Sequence, residues 1–199
     1  MTTLTVAPPL ALVRLGNVRT VPNVVTLVRT IAAVALGAVA VSTADLTMLA
    51  VAYAVYWVGD ILDGWSARRL SQETRLGAVL DIVSDRACTS VLCMGLVAHL
   101  PGTVTLAVVF LLSFMVIDTM LSLAFLCWPL AGPNDFHLVD HRVWVLNWSP
   151  AAKAANTAGV VGAILLGAYG VGLVIALAVV AVKLWSAARV IALLDRDGR

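Results

Sequence analysis

Four aspartates carry the chemistry of this chain. They lie in Asp60-Ile-Leu-Asp63-Gly64-Trp-Ser-Ala67-Arg68 and, eight residues on, in Gly77-Ala-Val-Leu-Asp81-Ile-Val-Ser-Asp85. Asp60 and Asp63 are spaced i, i+3 and Asp81 and Asp85 i, i+4, so each pair shares one face of a helix. Two such helices joined by a short connection bring the pairs face to face. Converging carboxylates repel and raise one another's pKa unless cations sit between them, and hard divalent ions take oxygen ligands of this kind. The pattern therefore predicts Mg²⁺ or Mn²⁺. Four acids suit two ions, and paired metals ~3.5–4 Å apart are a recurrent device for in-line displacement at phosphorus. Small residues beside the acids (Gly64, Ala67, Gly77) let a helix backbone or a phosphate approach closely, and Arg68 adds a permanent cation suited to an oxyanion.

The elements that must hold these acids are apolar. The 199 residues are 61% hydrophobic and 12% charged, with a mean hydropathy of +1.00, which excludes an ordinary soluble domain. A helix needs about 20 apolar residues to span hydrocarbon. The expected architecture is an all-α membrane protein with six spans at 22–43, 46–66, 77–98, 103–126, 154–169 and 171–190. Residues 1–21 form an N-terminal juxtamembrane segment, 22–190 the six-helix domain and 191–199 a C-terminal tail. Ala38-Val39-Ala40 resembles a signal-peptide cleavage site, but Asn23, Thr26 and Arg29 lie in the same helix as the apolar run, which favours an uncleaved first span. Cys88, Cys93 and Cys127 lack metal-ligand spacing and read as buried small hydrophobes. Nothing in a net charge of +2 calls for nucleic acid.

Basic residues alternate between connections. Arg14 and Arg19, then Arg68, Arg69 and Arg75, then Arg142 and Lys153, then Arg196 and Arg199 fall on one side, and the intervening connections have no Lys or Arg. The positive-inside rule places both termini and the long 127–152 connection in the cytoplasm. Every span contributes polar groups to that side, among them Asn23, Thr26, Arg29, Asp118, Asn156, Lys183 and Arg189, while the outer halves are Ala, Val, Leu and Gly. That distribution predicts a pocket at the inner leaflet, open to the cytoplasm; the expected location is the plasma (inner) membrane of a bacterium.

The spacing Asp-x2-Asp-Gly-x2-Ala-Arg-x8-Gly-x3-Asp-x3-Asp resembles the signature of the CDP-alcohol phosphotransferases. Asp60, Asp63, Gly64, Ala67, Arg68, Gly77, Asp81 and Asp85 meet every fixed position. The resemblance implies that Asp60, Asp63 and Asp81 hold two ions, with Asp85 as last ligand or general base, and that Gly64 and Arg68 border the CDP moiety, with Ala67 and Gly77 beside them. It implies a phospholipid-synthesising transferase with CDP-diacylglycerol as donor, a small alcohol as acceptor and CMP as leaving group. Pro22-Asn23-Val-Val-Thr26-Leu-Val-Arg29 is similar to the start of the first helix in the phosphatidylglycerophosphate and cardiolipin synthases, which adds Asn23 and Thr26 to the CDP-binding set. Helix capping and a snorkelling arginine explain these residues equally well.

The acceptor is open. The Arg-Glu pair usual on the fourth helix of phosphatidylglycerophosphate synthases is replaced by Met115-Val-Ile-Asp118-Thr-Met-Leu-Ser122. Asp118 could bind polyol hydroxyls, and Arg142, Lys153, Lys183 and Arg189 an acceptor phosphate. A glycerol 3-phosphate type of acceptor is favoured, with inositol or inositol phosphate as the alternative. A small cation transporter would also carry membrane acids, but it calls for polar groups along a path through both leaflets. A binding protein without activity would be free to lose its acids. His137 and His141 read as solvated, and Trp128, Trp144 and Trp148 as an interfacial belt with a short surface helix around 135–148. Small-residue faces at Ala32-Ala33-Val-Ala35 and Gly159-Val-Val-Gly162 suit close packing in the monomer or a homodimer.

Overall fold

The computed structural model describes residues 16–196. Among the described residues every regular element is helical, and no strand occurs. Helices α1 (Val21–Thr43), α2 (Leu46–Arg69) and α3 (Arg75–His99) form an antiparallel group in which α1 packs along both of the others. A composite helix, α4 (Pro101–Cys127), then runs through a π-helical turn at Ser113–Asp118. The 3-10 turn Pro133–Leu138 and helix α5 (His141–Asn147) make up most of the long connection, followed by α6 (Pro150–Leu165) and α7 (Tyr169–Arg196).

Each break has a local cause. Ala44 takes a left-handed conformation to end α1, and the Asp45 carboxylate accepts from the Thr47 and Met48 amides to start α2. Thr74 caps α3 by accepting from the Gly77 amide, and Ser149 with Pro150 opens α6 four residues before the expected start of 154.

Among the described residues, α1, α2, α4 and α7 are long and apolar enough to cross a membrane. The other two expected spans fall outside that description for different reasons. Helix α3 has 25 residues but carries Arg75, Asp81, Asp85 and Arg86, so the site itself lowers its hydropathy. Helix α6 ends at Leu165 after 16 residues, short of the about 20 a span requires. Helix α7 continues unbroken to Arg196, through most of the segment expected as the C-terminal tail. Arg14 and Arg199 lie outside the described residues.

The aromatic belt is another correction. Trp128 and Trp148 are 7% exposed and pack on the fully buried Phe136, with ring centroids 5.4 and 5.1 Å away. With Leu121, Phe125, Val143 and Val190 they form a core beneath the long connection. The connection is thus folded against α4 and α7 by large apolar side chains, each burying ~150–250 Å² when aromatic. The surface helix expected over 135–148 is split where the Asp140 carboxylate caps α5 through the Arg142 and Val143 amides. His137 and His141 are exposed, as is Cys127, whereas Cys88 is buried. Ala33 is buried inside the helical group, and a side chain at Gly162 would meet open space.

Candidate active site

The site begins with the polar start of α1. Thr20 accepts from the Asn23 amide, Pro22 occupies the first turn, and Asn23, Thr26 and Arg29 are buried toward α2 and α3. The first turn is tied to the α2–α3 connection, where the Gln72 side chain accepts from the Val21 amide at 3.0 Å. Gly77 is required here: an added Cβ would lie 2.8 Å from Asn23 Oδ1 and 2.9 Å from Thr74 Oγ1. Its absence lets α3 close on the start of α1.

One ligand oxygen each from Asp60, Asp63 and Asp81 lie within 4.8 Å of one another. Asp85 adjoins them through a shared partner, Arg29. The Arg29 Nε donates to Asp63 Oδ2 at 2.7 Å, while Nη2 lies 3.3 Å from Asp60 Oδ1, 2.5 Å from Asp81 Oδ1 and 3.1 Å from Asp85 Oδ1. Thr26 Oγ1 donates to the same Asp63 oxygen at 2.7 Å. Arg29 is 3% exposed, so it does not snorkel; it is an internal cation, and the capping role falls to Thr20. Four carboxylates around one guanidinium leave the cluster in formal deficit of positive charge. Hard oxygen donors at this separation, with side-chain exposures of 40% at Asp60 and 42% at Asp81, fit Mg²⁺ or Mn²⁺.

A cavity of about 120 Å³ opens beside the acids. Asp63 and Asp81 border it together with Asn23, Thr26, Gly64, Ala67, Arg68 and Gly77, so the residues expected to contact CDP share one wall. Residues 131–135 of the long connection form the facing wall, with Gln72, Glu73 and Thr74 at the side. That facing wall was not foreseen. Its signal was the turn-forming Gly132-Pro133-Asn134-Asp135, but no local pattern says which helix such a turn will face. A groove of about 220 Å³ along the C-terminal part of α7, bordered by Trp185, Arg189 and Arg196, lacks acids.

The residues expected to meet the acceptor are dispersed. Asp118 pairs with Arg86 at 2.6 Å and with Lys183. Arg189 Nε donates to Asp140 Oδ2 at 2.6 Å and thereby fastens α7 to the cap of α5. Lys153 Nζ donates to Asn134 Oδ1 at 3.1 Å, beside the facing wall, and Arg142 is exposed on α5. Burial would push the Asp140 carboxyl up, but the amides of Val143 and Arg142 and the guanidinium of Arg189 outweigh it and hold the group below its ordinary value.

The profile of the CDP-alcohol phosphatidyltransferase family matches residues 19–192. The chain belongs to that family. The match runs from just before α1 almost to the end of α7, so the whole helical assembly, and not the aspartate motif alone, is of the CDP-alcohol phosphatidyltransferase type. A CDP-diacylglycerol–inositol 3-phosphatidyltransferase from Schizosaccharomyces pombe (strain 972 / ATCC 24843) is 52% identical over 42 residues, which is 21% of this chain and 18% of that relative's length. No solved structure matches the chain.

Proposed function

We propose that this family member moves a phosphatidyl group from CDP-diacylglycerol to a small alcohol, with release of CMP. The observation that carries the reading is the shared cavity, which Asp63 and Asp81 line together with Gly64, Ala67, Arg68 and Gly77. Two divalent ions held by Asp60, Asp63, Asp81 and Asp85 would neutralise the pyrophosphate and the charge that develops on leaving CMP. The protein's own groups do the rest. Arg68 faces the donor phosphates, and the missing side chains at Gly64 and Gly77 admit them. Asp85 takes the proton of the acceptor hydroxyl; that oxygen bonds to the lipid-bearing phosphorus as the bond to CMP breaks.

In this reading α3 and α6 complete a six-span assembly with the site at the cytoplasmic face of a bacterial inner membrane. The start of α1 supports a glycerol 3-phosphate type of acceptor, with Lys153, bonded to Asn134 of the facing wall, as its nearest basic group and Arg142 as a second candidate. The inositol-transferring relative supports inositol or inositol phosphate as the second reading.

The test is CMP release by purified protein supplied with CDP-diacylglycerol, Mg²⁺ or Mn²⁺, and a panel of alcohols. Release with glycerol 3-phosphate is expected. Release with inositol or its phosphate alone selects the second reading, and no release with any acceptor defeats both.

A further inference from the structure

Arg29 does more than neutralise charge. It takes one oxygen from each aspartate: Oδ2 of Asp63 through Nε, and Oδ1 of Asp60, Asp81 and Asp85 through Nη2. Asp60, Asp63 and Asp81 still bring one ligand oxygen each within 4.8 Å of one another. The Arg29 Nη1 is buried with no hydrogen-bond partner among the described residues. An arginine placed only to strengthen the fold would gain by pairing that nitrogen too, since an unmet buried donor is unfavourable. Its placement instead centres one nitrogen among three acids from two helices.

The surroundings enforce that placement. Gly59 precedes the first acid, and a Cβ there would collide with the Arg29 Cβ and lie 2.7 Å from its Cδ. The Tyr56 ring stands 5.5 Å from the guanidinium carbon. Thr26 reinforces the bond to Asp63 Oδ2. Helix α1 therefore delivers a fixed guanidinium, from the side packed against Gly59, to acids on α2 and α3.

We propose that Arg29 is a positioning residue that pre-assembles the aspartates as metal ligands, with Gly59 as the notch that seats it. The proposal rests on the divalent-metal reading of the cluster. Groups that hydrogen-bond to metal-ligating carboxylates orient them, and losing such a group typically costs 10–100-fold in metal affinity. A guanidinium suits the task because its donors diverge in one plane, whereas an ammonium is a single point charge.

The experiment is Mn²⁺ binding to the purified, substrate-free protein, measured by calorimetry and by the rise in melting temperature with added Mn²⁺. Arg29→Met is expected to weaken binding about 10–100-fold, and Arg29→Lys by less. Gly59→Ala keeps every charge and is expected to shift binding in the same direction by displacing the Arg29 stem. It also serves as the test if Arg29→Met does not fold. Unchanged or tighter binding in Gly59→Ala and Arg29→Lys overturns the proposal, making Arg29 a counter-ion only, while leaving the metal reading intact. Wild-type protein that binds no Mn²⁺ overturns both.

Discussion

Two charged clusters lie among these helices with opposite balance. Around Arg29, four aspartates share one cation; around Asp118, two cations, Arg86 and Lys183, share one carboxylate. The acid-rich cluster is partly open, with Asp60 and Asp81 about two-fifths exposed. The cation-rich cluster is closed: its side chains are 9–13% exposed, Arg86 Nε also donates to Thr119 Oγ1 at 2.8 Å, and the Arg86 guanidinium stacks 3.6 Å from the Phe114 ring centre. The π-helical turn ending at Asp118 accompanies this arrangement. The comparison teaches how to read charge at membrane depth. Ions that find local partners and an aromatic face join helices, whereas an excess of one sign beside a cavity is set to receive a ligand.

The sharpest way to break the comparison is at Asp85. Asp85→Asn is expected to lower CMP release by roughly 10²–10⁴-fold while the melting temperature holds, the loss typical of a general base. Near-normal turnover would remove Asp85 from that role. At the other cluster the expected damage is to stability. Asp118→Ala strands Arg86 and Lys183 and should destabilise the protein by about 3–5 kcal/mol in thermal denaturation, with partial recovery on adding Lys183→Met. If activity falls while stability holds, Asp118 belongs with the acceptor instead.

Metal removal separates the clusters a third way. Chelation should abolish CMP release. Restoring Mg²⁺ to about a hundred times its dissociation constant should stabilise wild type by about 2.7 kcal/mol, leave that gain intact in Lys183→Met, and lose it in Asp63→Asn. The smallest effect concerns the connection that forms the facing wall. Asp140→Ala removes a helix cap and its partly exposed bond to Arg189, for about 1 kcal/mol at neutral pH. Because the folded carboxyl titrates below its unfolded value of about 3.9, this contribution is present above that pH and fades as pH falls through the folded-state value. The stability difference between wild type and Asp140→Ala should shrink accordingly in acid.

Much of the site was legible because its information is local. The i, i+3 and i, i+4 spacings place each aspartate pair on one helix face whatever surrounds it, and a two-residue break at Ala44-Asp45 with a short Leu70–Thr74 connection makes α1, α2 and α3 antiparallel neighbours. Apolar composition likewise dictated helices suited to a membrane, since backbone polar groups in lipid must be satisfied within the segment.

What the tertiary structure alone decided concerns partners. Arg29 lies 56 residues from Asp85, and nothing periodic distinguishes an arginine that snorkels from one that enters a cluster; the close passage of α1 over Gly59 settles it. From the sequence Lys183 and Arg189 are candidates for an acceptor phosphate; helix packing brings Asp118 and Asp140 within their reach instead. Trp128 and Trp148 looked interfacial until Phe136 folded beneath them. The sequence by itself determined the helices and the aspartate pairs, because those follow from composition and spacing. Only the fold decided which charges meet, because a long-range ion pair forms where packing sets the distance and excludes water, and neither is written in the neighbouring residues.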